Sequence, residues 1–213
     1  MNLQIAFDCT NLEGALEIAE KIKNYCDIME VGTPLIKSEG IKTVAEFKKR
    51  FPDKIIVADI KIVDAGKIEA NLALSAGADI ITMMSCVSDQ TKEAVYNEVK
   101  EKGKKIMVDL LGSPDTLEAA LRFSENGDID YLCFHKSTDA YGVATSLDEY
   151  TRIKKVVNLP IIVAGRINKD NIDIILKLKP HTVIIGGAVT RSDNPLEDAK
   201  YFYELIKSVE APA

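Results

Sequence analysis

The chain has 213 residues, of which 46% are hydrophobic and 28% charged, and carries a formal net charge of −6. That composition is globular and long enough to bury one sizeable core, and its acidic balance argues against nucleic acid as a partner, because phosphate backbones require clustered Lys and Arg. The N-terminal Met-Asn-Leu-Gln-Ile-Ala-Phe-Asp enters a strand pattern directly, with no signal peptide and no membrane span in view.

Short apolar runs recur along the chain at Leu3 to Phe7, Ile28 to Val31, Ile55 to Ala58, Ile80 to Met84, Lys105 to Leu111, Tyr131 to Phe134, Ile161 to Ala164 and Val183 to Ile185. Between and after them lie amphipathic stretches at Leu12 to Tyr25, Gly40 to Arg50, Ile68 to Ala76, Thr91 to Gly103, Thr116 to Asn126, Leu147 to Val157, Asn171 to Leu178 and Pro195 to Val209. Apolar residues such as Leu12, Ala15, Leu16, Ala19 and Ile22 fall at helical spacing. Eight such alternations predict an α/β fold, a single (β/α)8 TIM barrel spanning 1–213, in preference to an open doubly wound sheet. Cys9, Cys26, Cys86 and Cys133 form no ligand or redox pattern, which predicts reduced thiols in a cytoplasmic protein, with Cys133 in the core.

A barrel of this type gathers its reactive groups at the C-terminal ends of the strands. Asp8 follows the first run, Glu30 closes the second, Asp59 and Lys61 follow the third, Asp109 lies late in Lys105 to Leu111, and His135 follows Tyr131 to Phe134. Strand alternation turns Asp59 and Lys61 the same way, so they share one small volume, either as working charges or as a salt bridge that caps the strand. Glu30 and Asp59 on neighbouring strands suit a hard cation such as Mg²⁺, and a metal-free ion-pair network is the alternative. His135 suits proton transfer near neutral pH, whereas His181, before the last strand, belongs to the opposite face. Glycine turns at Gly165-Arg166 and at Gly186-Gly187-Ala188 follow the last two strands, where such barrels hold phosphate, with Arg166 and Arg191 as counter-charges. The expected ligand is a small sugar phosphate.

With these residues in view, the chain resembles the orotidine 5′-phosphate decarboxylase suprafamily, whose Asp-x-Lys-x-x-Asp motif stands here as Asp59-Ile-Lys61-Ile-Val-Asp64. It is most similar to the group of 3-hexulose-6-phosphate synthases and 3-keto-L-gulonate-6-phosphate decarboxylases. The similarity runs nearly end to end, through Leu3-Gln-Ile-Ala-Phe-Asp8, Glu30-Val-Gly-Thr-Pro-Leu-Ile, Gly77-Ala-Asp-Ile-Ile-Thr82 and His135-Lys-Ser-Thr-Asp139. It implies a homodimer with shared active sites, in which Asp64 reaches into the partner's site. It further implies Mg²⁺ at Glu30 and Asp59, Lys61 beside an enediolate, His135 as proton carrier and Asp8 in the polar shell.

Both activities of the group pass through that enediolate, so the loop after the sixth strand must separate them. The decarboxylases carry an arginine three residues after the histidine, where this chain has Thr138 followed by Asp139, closer to the synthases. Lys136-Ser137, Ala140 and Asp64-Ala-Gly-Lys-Ile match the decarboxylases instead. The resemblance therefore implies an aldolase joining formaldehyde to D-ribulose 5-phosphate, with decarboxylation of 3-keto-L-gulonate 6-phosphate as the alternative and a non-catalytic sugar-phosphate binder as a third reading. Arg166 stands where the group usually has a second glycine, and either contacts phosphate or reshapes the pocket.

Overall fold

The computed structural model describes residues 1–125, 127–137 and 147–209. Its eight strands are β1 (Asn2–Phe7), β2 (Ile28–Val31), β3 (Ile55–Ile62), β4 (Ile80–Met84), β5 (Lys105–Asp109), β6 (Tyr131–His135), β7 (Ile161–Ala164) and β8 (Thr182–Ile185). They pair in parallel in chain order, and β1 pairs with β8 to close the barrel. This is the (β/α)8 TIM barrel that the alternation predicts. The helices are α1 (Leu12–Ile22), α2 (Thr33–Glu39), α3 (Lys42–Arg50), α4 (Gly66–Ser75), α5 (Asp89–Glu101), α6 (Thr116–Ser124), α7 (Leu147–Val156), α8 (Ile172–Lys177), α9 (Gly187–Thr190) and α10 (Pro195–Ser208).

Two of these helices lie outside the amphipathic stretches read from the sequence. Helix α2 is too short for its periodicity to register, since it buries only Leu35, but its ends are marked by Pro34 in the first turn and by Gly40 at φ 82°. Helix α9 is a single turn after Gly186. The third strand also runs past the expected Ala58 to Ile62, because the charged residues that follow the apolar run still pair with β4.

Strand parity sorts the core into two layers. Leu3, Ile5 and Phe7 pack outward with the helices, whereas Ala6, Ile28, Val57, Ile80, Met107, Cys133, Ile162, Ala164 and Ile184 fill the barrel itself. Cys133 thus lies in the core, as its apolar run predicts.

The N-terminal end of the barrel repeats every second strand. Asp27, Asp79 and Asp130 each immediately precede an even-numbered strand, and their carboxylates accept N–H bonds from Leu3, Ile56 and Ile106 at 2.8, 3.0 and 2.9 Å. Their own N–H groups donate back to the carbonyls of the same three residues. His181 takes the fourth such place, donating its N–H to Ile161 O, while its ring bonds to the Thr182 hydroxyl and lies beside Tyr131. This end is closed by backbone caps, which leaves the opposite rim for chemistry.

Candidate active site

Each polar residue at the rim is placed by the strand that carries it. Asp8, the first residue after β1, sits between the loops that follow β2 and β8. A Cβ on Gly32 would lie 2.2 Å from Asp8 Oδ1, and one on Gly186 3.1 Å from Oδ2, so the two glycines make the room that this carboxylate occupies. Burial and then the charge of Asp59 raise the Asp8 pKa. Glu30 on β2 is buried and accepts a hydrogen bond from the Gln4 amide. Its pKa is pushed well above the carboxylate range, first by burial and then by Asp59 and Asp8.

Asp59 and Lys61 stand on β3. The Thr33 hydroxyl lies 2.8 Å from Asp59 Oδ2, and the Thr82 hydroxyl donates to Oδ1 at 2.8 Å. The Lys61 ammonium lies between two carboxylates, 3.0 Å from Asp59 Oδ2 and 2.9 Å from Asp109 Oδ2. Burial alone would favour the neutral amine, but the two carboxylates outweigh it and raise the pKa well above that of an ordinary lysine. Asp109 Oδ2 also lies 2.9 Å from His135 Nδ1, and Asp109 Oδ1 accepts from Leu111 N. Burial works against this carboxylate, yet His135 and Lys61 hold it down at about 2. The result is one connected line of charge, Asp59 to Lys61 to Asp109 to His135.

Asp64 is not part of that line within its own barrel. It stands exposed between β3 and α4, and the carboxylate partners of Lys61 are Asp59 and Asp109. Gly165 has φ 102°, and a Cβ there would lie 2.0 Å from the Lys136 carbonyl oxygen, so only glycine lets the β7 loop approach the β6 loop this closely. Arg166 follows in the left-handed region at φ 53°, with its carbonyl held by the Asn171 amide at 3.0 Å. Gly186, Gly187 and Ala188 open α9, and the Arg191 guanidinium lies over Gly187, where a Cβ would come within 2.2 Å of Nη2. Thr138 and Asp139 lie outside the described residues.

Three polar partners carry more of the site than their sequence signals suggest. Asp109 is identifiable at the rim, but its bridging position depends on strand register. Thr82 sits in a β-branched run that reads as ordinary strand. Gln4 sits within an apolar run at the inward-facing parity, which is the one clue to its contact with Glu30.

The donor chemistry fits a hard cation at Glu30 and Asp59. Both offer carboxylate oxygen, the raised pKa values of Glu30 and Asp8 mark uncompensated negative charge, and Gln4 Oε1 beside them is buried without a partner. Asp109, Cys133 and His135 also bring ligand atoms within 4.8 Å of one another. There, however, Lys61 already supplies the positive charge, and burial followed by the Asp109 and Glu30 charges pushes the Cys133 thiol far up.

Residues 1–202 match the family described as Orotidine 5'-phosphate decarboxylase / HUMPS family. A 3-hexulose-6-phosphate synthase of Bacillus subtilis is 36% identical over 208 residues, which is 97% of this chain and 99% of that protein. The crystal structure of 3-hexulose-6-phosphate synthase from Salmonella typhimurium superposes with a TM-score of 0.92 at 32% identity, covering 98% of this chain and 100% of that one. That of KGPDC from Streptococcus mutans, in complex with a sugar phosphate, gives 0.90 at 30% identity, with 99% of each chain covered. Similarity of sequence and of fold over nearly the whole length makes this chain a member of the orotidine 5'-phosphate decarboxylase / HUMPS family.

Proposed function

We propose that this lyase joins formaldehyde to D-ribulose 5-phosphate in a reversible aldol reaction, giving 3-hexulose 6-phosphate through an enediolate. The observation that carries the reading is the Lys61 ammonium seated on Asp59 and Asp109, with Asp109 in turn bonded to His135. A lysine held protonated by two carboxylates is unsuited to Schiff-base formation, which needs the free amine, and is suited to stabilising an anion.

With Nδ1 committed to Asp109, Nε2 of His135 is the nitrogen that takes the proton from substrate C1. The released electron pair moves onto the C2 carbonyl oxygen, where Lys61 stabilises the enediolate. C1 then attacks the formaldehyde carbon, and the new alkoxide takes a proton back from His135. Asp109 orients both groups throughout, and Asp8 and Glu30 complete the polar shell around the sugar hydroxyls. Gly165, Arg166, Gly186, Gly187 and Ala188 hold the phosphate, with Arg191 as counter-charge, and Thr138 and Asp139 complete the substrate contacts. Mg²⁺ held by Glu30 and Asp59 would supply a second positive charge for the developing oxyanion.

The working unit proposed is a homodimer. Val63, Ile68 and Leu72 are 52, 66 and 54% exposed on and beside α4, next to Asp64, which gives that carboxylate an apolar surface on which to meet a partner. A cytoplasmic location is proposed on four free cysteines, and no helix among the described residues is long and apolar enough to cross a membrane.

Decarboxylation of 3-keto-L-gulonate 6-phosphate is the second reading, favoured by the structural match to KGPDC. The test is formaldehyde consumption with D-ribulose 5-phosphate, in the presence of Mg²⁺ and of chelator. Metal-dependent loss is expected. CO₂ release from 3-keto-L-gulonate 6-phosphate in its place would transfer the assignment to the second reading, and failure to wash deuterium into C1 of ribulose 5-phosphate would leave only a binder.

A further inference from the structure

The ladder between β3 and β4 is broken at one point. Ala58 pairs with Ile81 and Ile62 with Met83, so three residues of β3, Asp59, Ile60 and Lys61, stand opposite the single residue Thr82. A bulge of this kind leaves backbone groups without ladder partners and forces the local backbone out of the extended region. Lys61 is the residue that takes up the distortion, at φ 50°, a left-handed conformation that a side-chain-bearing residue adopts at a cost.

Thr82 repairs both consequences. It is 1% exposed, and its hydroxyl oxygen accepts the Lys61 N–H at 2.9 Å in place of a ladder carbonyl. Its hydroxyl proton goes to Asp59 Oδ1 at 2.8 Å, and that same oxygen takes the Lys61 ammonium at 3.1 Å. The bonds close a ring from the Lys61 amide through Thr82 and Asp59 back to the Lys61 side chain. A valine would fill the same strand position, so packing alone does not call for the hydroxyl.

We propose that Thr82 is a positioning residue, whose hydroxyl holds the strained Lys61 backbone and the Asp59 carboxylate in one fixed relation and so fixes where the ammonium meets the developing anion. The kinetic part of this inference rests on the function proposed above, and the structural part does not.

The test compares Thr82→Val with Thr82→Ser in three readouts: deuterium exchange at C1 of D-ribulose 5-phosphate, hydrogen exchange of the Lys61 amide by NMR, and thermal midpoint. Thr82→Val is expected to lower kcat about 100-fold with KM changed by less than about threefold, because a misplaced catalytic group costs rate before it costs affinity. Its Lys61 amide should exchange roughly tenfold faster, as befits one lost hydrogen bond. Thr82→Ser, which keeps the hydroxyl, should restore both. Wild-type kcat in Thr82→Val, or a fall in thermal midpoint with kcat and amide exchange unchanged, would overturn the proposal, as would a Thr82→Ser as impaired as Thr82→Val. If Thr82→Val does not fold, Thr82→Cys replaces it; kcat below that of Thr82→Ser is expected, and wild-type kcat overturns the proposal. Absence of exchange by the wild-type protein would instead count against the proposed reaction, and the Lys61 amide would still report on Thr82.

Discussion

Nδ1 of His135 lies 2.9 Å from Oδ2 of Asp109, the same oxygen that takes the Lys61 ammonium. One carboxylate thus fixes the distance between the group that would move a proton and the group that would stabilise the resulting anion. Neither side chain can be shifted without disturbing the other.

Removal of the ammonium should therefore be severe. Lys61→Ala is expected to lower turnover by about 10³-fold or more, since it deletes the fixed positive charge on which the anion depends. It also leaves Asp59 and Asp109 without their cation, so the thermal midpoint should fall while the circular dichroism of the folded barrel is kept. Steady-state kinetics beside a melting curve checks both, and kinetics near wild type would remove Lys61 from the mechanism.

Glu30 ties metal to pH. Its folded pKa is raised above the usual carboxylate range, so between the ordinary value of about 4.3 and the raised one the native protein binds more protons than the unfolded chain. Stability then falls as pH rises through that window. The metal-free protein should melt higher at pH 5 than at pH 7, Mg²⁺ should raise the melting temperature at pH 7, and Glu30→Gln should diminish both effects. Asp109 does not mask this, because its depressed pKa of about 2 keeps its contribution intact until well below the window. A flat pH profile for metal-free wild type would show that Glu30 carries no such burden.

The closed end of the barrel should behave oppositely. Asp79 accepts from Ile56 N, Lys48 and Lys104, and despite burial these partners lower its pKa. Asp79→Ala should cost about 1–3 kcal/mol, leaving the Ile56 N–H unpaired, with kcat unchanged because the site lies at the other mouth. In the wild type this stability is present above the ordinary Asp pKa of about 3.9 and is lost as pH falls through the lowered one. Urea titration of both proteins, alongside the aldol assay, separates the two ends of the barrel.

The barrel was legible because burial repeats with the backbone. Strands such as Ile161–Ala164 are buried on both faces and read as unbroken apolar runs, while helices such as Leu12–Ile22 show a one-sided period. The residue types at the rim were legible for the same reason, since Asp59 and Lys61 interrupt a pattern that has no other use for charge. Register was not legible. That Asp109 bridges Lys61 to His135 depends on how three strands are staggered, and that Thr82 faces Lys61 depends on a bulge which the Ile55–Ile62 sequence does not announce. Regular alternation predicted that Asp59 and Lys61 share a side, and they do meet, but through a left-handed Lys61.

Asp64 decides whether one chain is enough. It is exposed beside the apolar face of Val63, Ile68 and Leu72 and does not touch Lys61 of its own barrel, so any role it has beside a lysine must be played in a partner. Mixing two inactive variants tests this directly. When Asp64→Asn and Lys61→Ala chains are unfolded together and refolded at equal ratio, half of the dimers pair one of each. If Asp64 serves the partner's site, each such dimer has one site with both residues intact and one with neither, and roughly a quarter of wild-type activity should return. If Asp64 acts within its own chain, every site in every dimer stays defective and nothing returns. Ile68→Glu supplies the control: a charge on the apolar face should leave a monomer by sedimentation, and it should abolish the rescue as it abolishes the pair.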